Sequence, residues 1–402
     1  MTQARSLEQP AALRIVSALG LAIWIVIAAF PLFWMTAMSI KLPVDAFSSS
    51  ALRVVFGEAT SQMSGGFSSI GLLTGVAAVI LGYLGFRRLG VFLERLRLAG
   101  RGSGARFLIR MFFVIVTGAL VVFVAPLIVR GLESLVATIP VLNVLSHPLI
   151  GYTDEHYRAV WIEHTFYRQF FNSMLVTAGV VTVSLTVGTL AGYALARTQT
   201  NLAFWLLLIA LAFRALPHSV LVAGYLPAFI GSRELLAPLW ANAVTGPILR
   251  LFSNAAPTLY GQPWAVIAVL VAINQPFTIW MLRSFFANIP TELDEAARVD
   301  GCSHFEAFRR VIIPVMWPGV ITTGLFSFLL AYNDYLVTGL LLDAQSLTMV
   351  PAISQFLNSG TSAADQLRAI AAAVSITAPL FVLVLVFQRH LVGGLTQGAV
   401  KG

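Results

Sequence analysis

Charge is scarce in this chain of 402 residues: 10% of them are charged and 58% hydrophobic. With a mean hydropathy of +0.85, the composition excludes a soluble globular domain, in which about 25% of residues are charged. Cysteine is scarcer still. Cys302 stands alone, so no intrachain disulfide can form, and its place in a polar turn suits a reduced thiol. Lysine occurs only as Lys41 and Lys401, and neither follows a glycine-rich turn or precedes Ser or Thr. The chain therefore has no P-loop with which to cradle a nucleotide. Histidines are few and scattered: His156 and His164 lie near Asp154, Glu155 and Glu163 without zinc-type spacing, and read as a solvated face. No Ser-His-Asp pattern stands out, so no catalytic residue, metal or directly bound cofactor is assigned.

What the chain does have is long apolar runs, at 15–38, 67–86, 107–129, 172–196, 203–230, 264–286, 316–342 and 369–388. Runs of about 20 residues suit transmembrane helices and are too long and unbroken for barrel strands, because backbone groups in lipid must be satisfied within each segment. The fold class is an all-α polytopic membrane protein with about eight transmembrane helices. The first run, preceded by Arg5 and Arg14, is too long for a signal h-region and reads as an uncleaved anchor. Arg87, Arg88, Arg95, Arg97, Arg101, Arg106, Arg110, Arg197, Arg298, Arg309, Arg310 and Arg389 fall at one set of span ends, with acids such as Glu163, Glu234 and Asp343 at the other. By the positive-inside rule both termini and the 291–314 loop are expected in the cytoplasm. The net charge of +8 belongs to that pattern beside an anionic lipid leaflet and does not call for nucleic acid.

Between Thr291 and Pro314 a polar segment interrupts two apolar ones. Pro290 cannot continue a preceding helix, Thr291 with Asp294 has capping-box spacing, and Glu292, Asp294 and Glu295 sit where a helix dipole favours acids. Gly301 offers a left-handed stop; Ser303 and Glu306 cap a second helix that ends in Arg309 and Arg310 before Pro314. Ala296 and Ala297 let another surface approach the backbone, and Val299, Phe305 and Phe308 supply apolar contact.

The spacing Glu295-Ala296-Ala297, three residues, Gly301, nine residues, Val311-Ile312-Ile313-Pro314 resembles the cytoplasmic signature loop of ABC importer permeases, with Val311 for the usual Ile and Ile313 for the usual Leu. Pro31 through Lys41, Asn172-Ser173, Gly192 through Arg197, Phe285 through Pro290 and Gln388 through Gly402 are similar to carbohydrate-uptake permeases of the maltose type, second-subunit branch. The resemblance covers roughly 10–56 and 150–402. It implies a type I ABC importer permease core of six spans in a bacterial inner membrane. It also implies a second homologous permease, two cytoplasmic ATPase subunits that carry ATP and magnesium, an extracytoplasmic solute-binding protein and a carbohydrate substrate. Glu295, Ala296, Ala297, Asp300, Gly301, Phe305 and Pro314 are then the ATPase-coupling residues. The whole of 1–402 is read as one permease domain, in which 57–149 is an inserted two-helix segment, for lipid-facing packing or for a separate partner or lipid site. The 231–263 enlargement, with Pro238, Pro247 and Pro257, is not expected to span.

Polar residues within spans are candidates for the translocation pathway, since charge at mid-bilayer costs about 2.5–3.5 kcal/mol on insertion scales. Arg214, before Pro217, is read as a structural ion pair or a pathway residue; Asn274, Gln275, Asn333 and Asp334 as pathway or gate. Val350, Pro351, Gln355, Phe356, Asn358, Ser359 and Gly360 resemble the family's hairpin that reaches into the binding protein. The competing class is an ion-coupled secondary transporter, for which Asp334 is the one suitably placed carboxylate, with a sensor or scaffold more remote.

Overall fold

The computed structural model describes residues 11–95, 103–139, 147–198, 205–206, 208–209, 211–212, 218–242, 244–252, 256–358 and 362–399. The chain forms two compact units, Met1–Arg158 with Ser362–Ala371, and Ala159–Thr361 with Ala372–Gly402. Among the described residues seven helical segments are long and apolar enough to cross a membrane. Three of them, Leu13–Ser39, Ser69–Leu89 and Met111–Val136, have 0% of their most apolar window buried, against 50% for His304–Tyr332. Side chains of the second and third of these segments meet each other, as Phe86 does Phe113, without being fully buried.

The first unit begins with α1 (Ala11–Ser39) and three short helices, Pro43–Ala46, Ala51–Phe56 and Glu58–Ser64. Strand β1 (Gly66–Ser68) leads into α2 (Ser69–Arg95), α3 (Ser103–Phe123) and α4 (Ala125–Ala137), and β2 (Pro148–Gly151) closes the excursion. β1 and β2 pair antiparallel with Gly66 opposite Gly151 and Ser68 opposite Pro148. The expected span 107–129 is therefore two helices, broken at Val124 because Pro126 sits in the first turn of α4, where its missing N–H is harmless.

Lys41 organises this unit, although it is a buried cation. Its Nζ donates to the Gly151 carbonyl, and its stem fills the space a Gly57 side chain would need, a Cβ there lying 2.7 Å from Lys41 Cδ. Gly57 has φ +65°, the left-handed conformation glycine adopts freely. The Asp45 carboxylate accepts from Thr60 N at 2.6 Å and Thr60 Oγ1 at 2.8 Å, and His156 Nε2 lies 2.9 Å from the Lys41 carbonyl. The expectation of a solvated His156 is overturned: the ring is 3% exposed and caps this network. Burial pulls the Lys41 ammonium below the usual lysine range, and the Asp45 charge resists the shift.

The second unit contains α5 (Phe166–Arg197), α6 (His218–Ala241), α7 (Pro263–Ala287), α8 (Glu292–Val299), α9 (Ile313–Tyr332) and α10 (Met349–Asn358). Helix α11 (Ala363–Ala399) starts in residues of the first unit and continues in those of the second. Small residues let α5 and α7 pack backbone to backbone: a Cβ on Gly188 would lie 2.7 Å from Thr278 Cγ2, and one on Gly192 3.1 Å from the Arg283 nitrogen. Leu282, Phe286, Phe308, Ile312 and Met316 form an apolar cluster at the end of the pair next to the 291–314 loop, and Val180, Val266, Leu270 and Val337 another further along it.

One further expected span falls largely outside the described residues, and another is interrupted. Much of 203–230 lies outside the described residues; α6 runs through Pro227 and Pro238, and with the short helix Thr245–Phe252 and the irregular stretch 256–262 it makes up most of the described part of the enlargement. The run 316–342 is not one helix. It stops at Tyr332, where Asn333 Nδ2 donates to the Leu329 carbonyl at 3.0 Å, and Leu336–Leu341 starts again behind Asp334, whose carboxylate accepts from Thr338 N at 2.8 Å. Two side chains that satisfy the backbone locally override a continuous apolar pattern.

Candidate functional site

The loop between α7 and α9 folds into two helices, the second of them capped by the loop's own residues. Ser303 Oγ accepts from Glu306 N at 3.3 Å, and the Glu306 carboxylate accepts from Ser303 N at 3.1 Å, the reciprocal box its spacing predicts. Gly301 has φ +89° and its N–H donates to the Arg298 carbonyl at 3.0 Å, so the chain turns sharply between α8 and the next helix. That second helix does not end before Pro314. His304–Ala307 passes through a π-helical stretch, Phe308–Ile312, directly into α9, and Pro314 sits in the first turn of α9, where its missing N–H is accommodated.

The expected capping box at Thr291 does not form. Thr291 has helical φ −67° and ψ −24° with no side-chain cap, and Asp294 turns away from it. A charged donor wins the carboxylate: Arg197 Nη2 lies 2.6 Å and Nε 2.8 Å from Asp294 Oδ2, and Tyr193 OH donates to Asp294 Oδ1 at 2.5 Å. Arg197 Nη1 also donates to the carbonyls of Ile289 at 3.1 Å and Phe286 at 3.4 Å, at the end of α7. Tyr193 and Arg197 are one helical turn apart on α5. The Tyr193 ring packs on Phe286 and Phe308, with centroids 5.5 and 4.8 Å away. Sequence reasoning used Tyr193 and Arg197 as part of a resemblance and Asp294 as a dipole acid; the signal it passed over was an i, i+4 Tyr-Arg pair at a helix end facing an acid-rich loop.

Of the residues assigned to coupling, Glu295, Ala296, Asp300, Gly301, Phe305 and Pro314 are exposed, Phe305 at 63%, and the neighbouring Val299 is 88% exposed. Ala297 is 4% exposed and faces its own chain, and Phe308 is buried in the aromatic cluster, so neither belongs to the outer surface. One turn of α8 with the exposed Phe305 forms the free face.

Among the pathway candidates, Arg214 lies outside the described residues. Asn274 and Asp334 line one cavity of about 80 Å³ with Val180, Leu270 and Val337. Asn274 Nδ2 bonds Ser327 Oγ, while Asn274 Oδ1 is buried without a hydrogen-bond partner. Gln275 points elsewhere, donating to the Ser184 carbonyl at 3.3 Å, and Asn333 is exposed at the end of α9. The cavity can hold a few waters and is smaller than the roughly 300–1,000 Å³ of ligand pockets.

The segment expected to be a protruding hairpin is helix α10. Pro351 is buried against Gly339, and Phe356, 7% exposed, packs edge-on to His164 and Phe166 at 5.2 and 6.0 Å. An apolar face in the 10-residue helix draws these side chains inward, leaving Gln355 exposed and Val350 half-buried. The backbone of Asn358 closes the helix; Ser359 and Gly360 lie outside the described residues.

Residues 184–397 match the family described as binding-protein-dependent transport system inner membrane component. The chain is 31% identical over 251 residues to the trehalose transport system permease protein SugB of Mycobacterium tuberculosis, covering 62% of this chain and 82% of that protein. It is 32% identical over 252 residues to the diacetylchitobiose uptake system permease protein DasC of Streptomyces coelicolor, covering 62% and 81%. Among solved structures, a bacterial ABC transporter involved in the import of the acidic polysaccharide alginate overlays with TM-score 0.47 at 16% identity, covering 96% of this chain and 99% of that one.

Proposed function

The chain belongs to the family of binding-protein-dependent transport system inner membrane components, and on that premise we propose how it does its work. It is a multi-pass inner-membrane permease of a carbohydrate-uptake ABC importer rather than an ion-coupled secondary transporter. In our reading the termini and the 291–314 loop lie in the cytoplasm, and the ATP and magnesium sit on two ATPase subunits. The free face of α8 and Phe305 fits into a groove of one ATPase. A second homologous permease pairs with this chain, and a solute-binding protein delivers sugar from outside. The relatives named for trehalose and diacetylchitobiose support a carbohydrate cargo.

The observation that carries the ATPase contact is the exposed face of α8, with Glu295, Ala296 and Val299, held on a short loop whose polar anchor Asp294 turns inward. Val299 at 88% and Phe305 at 63% exposure give this face two apolar contacts beside Glu295. The test is to express the full chain with its neighbouring permease, ATPase and binding protein, isolate it by a tag and reconstitute it in proteoliposomes. The ATPase should copurify, and uptake of labelled sugar should need ATP inside. Uptake driven by an ion gradient without any ATPase subunit overturns the proposal.

A further inference from the structure

Helix α8 is eight residues long, and isolated helices shorter than about 12–15 residues are marginal in water. Something other than its own propensity must hold it at one angle. Glu292, Leu293, Glu295, Ala296, Arg298 and Val299 all face outward, leaving Ala297 and the half-buried Asp294 to hold the helix to the body of the protein. Ala297 contributes a methyl group. Asp294 contributes a carboxylate that accepts hydrogen bonds from Arg197 Nε and Tyr193 OH and is ion-paired with Arg197 Nη2.

The Arg197 guanidinium also collects the carbonyls of Phe286 and Ile289. One planar group thus joins the end of α5, the end of α7 and the side of α8. Its fork geometry makes this possible, because the nitrogens point in fixed, divergent directions; a lysine, with a point charge on a flexible stem, cannot serve the carboxylate and both carbonyls together. The Tyr193 ring, with Arg197 Cζ 5.7 Å from its centroid, fills the floor beneath the pair. Side-chain exposures of 18% for Arg197 and 16% for Asp294 keep the bridge largely out of water, where ion pairs are screened less.

We propose that Arg197, through Asp294, is the positioning residue that makes the coupling loop move as one body with the α5–α7 helix pair. A push on α8 then reaches α5 and α7 instead of being absorbed by the Asn288–Thr291 link. This rests on the loop being the ATPase contact. The chain's only cysteine, Cys302, lies in the turn just after α8 and is half-exposed, so it can carry a reporter without engineering.

The experiment compares Arg197→Lys and Asp294→Asn with the parent chain in two measurements. In the first, the full chain alone in lipid nanodiscs carries a spin label on Cys302, and the line shape reports loop mobility. In the second, the reconstituted importer is assayed for sugar imported per ATP hydrolysed. Both variants should loosen the label, since losing one charge-assisted hydrogen bond shifts the loop's docked-to-loose equilibrium by about tenfold or more, and both should lower the import ratio. A label as immobile as in the parent overturns the proposal. So does a mobile label with an unchanged import ratio, and so does a loss of uptake that only tracks lower membrane abundance at a constant ratio. If the parent retains no ATPase, the docking reading fails, while the spin-label comparison still decides whether Arg197 holds the loop.

Discussion

Lys41 holds an ammonium group inside the protein, and its partners are backbone carbonyl and a nearby acid rather than a direct salt bridge. The Gly151 carbonyl it serves is buried, so Lys41→Met keeps the stem against Gly57 but leaves that acceptor unmet, at about 1–3 kcal/mol. Purified full chain should show a lower thermal midpoint for the Met variant. The pH dependence has a definite sign. With the folded pKa pulled below 10.5, the unfolded chain binds more protons between that value and 10.5, and stability from this group rises with pH there. The midpoint gap between parent and Lys41→Met should therefore widen toward alkaline pH; a gap that narrows refutes the buried-lysine account. At this scale the sequence was legible where one residue does one local thing, as Ser303 and Glu306 do. It was not legible where residues far apart compete for one group, as Thr291 and Arg197 compete for Asp294.

The turn between α8 and the helix at His304 depends on a conformation, not on space. A Cβ at Gly301 would meet nothing within 4 Å, yet φ is +89° and the N–H is bonded to Arg298. Gly301→Asn, which tolerates the left-handed region, should couple ATP hydrolysis to uptake nearly as the parent does. Gly301→Pro can neither reach that φ nor donate the bond, so the turn must rearrange. It should leave membrane abundance unchanged and raise ATP consumed per sugar imported; unchanged stoichiometry counts against the turn's role in coupling. The helices of this loop and most spans follow from apolar length, caps and prolines, which act within a few residues. What did not follow are the π-helical join at Phe308–Ile312, the break at Asn333–Asp334 and the inward packing of Phe356. Each is decided by neighbours that only the folded chain brings together, such as His164 and Phe166 for Phe356.

The inserted segment can be tested as a part of the whole. Its helices α2, α3 and α4 leave from Ser68 and return at Pro148, and those two residues face each other across the β1–β2 ladder. The ladder is fastened in turn to the Lys41 network through Gly151. SugB and DasC match more than four fifths of their own length over less than two thirds of this chain, which fits added material in this chain. A segment that starts and ends at one point can be removed without stretching what remains, and the removal of two candidate spans leaves the sidedness of later spans unaltered. Excising 69–147 and joining Ser68 to Pro148 by Asn-Gly, the pair that suits a tight two-residue hairpin turn, keeps Thr60, Gly57 and Gly151 in place. Some local stability is lost with the Ser68–Glu133 hydrogen bond, which is worth roughly 1.5–3 kcal/mol when charged. If the insertion is lipid-facing packing, the shortened chain should reach the membrane, retain its partner permease and ATPase, and import sugar with the parent's ATP ratio. Intact assembly with lost uptake would instead assign the insertion a working part in transport, and loss of the partner permease would make its exposed apolar helices part of that interface.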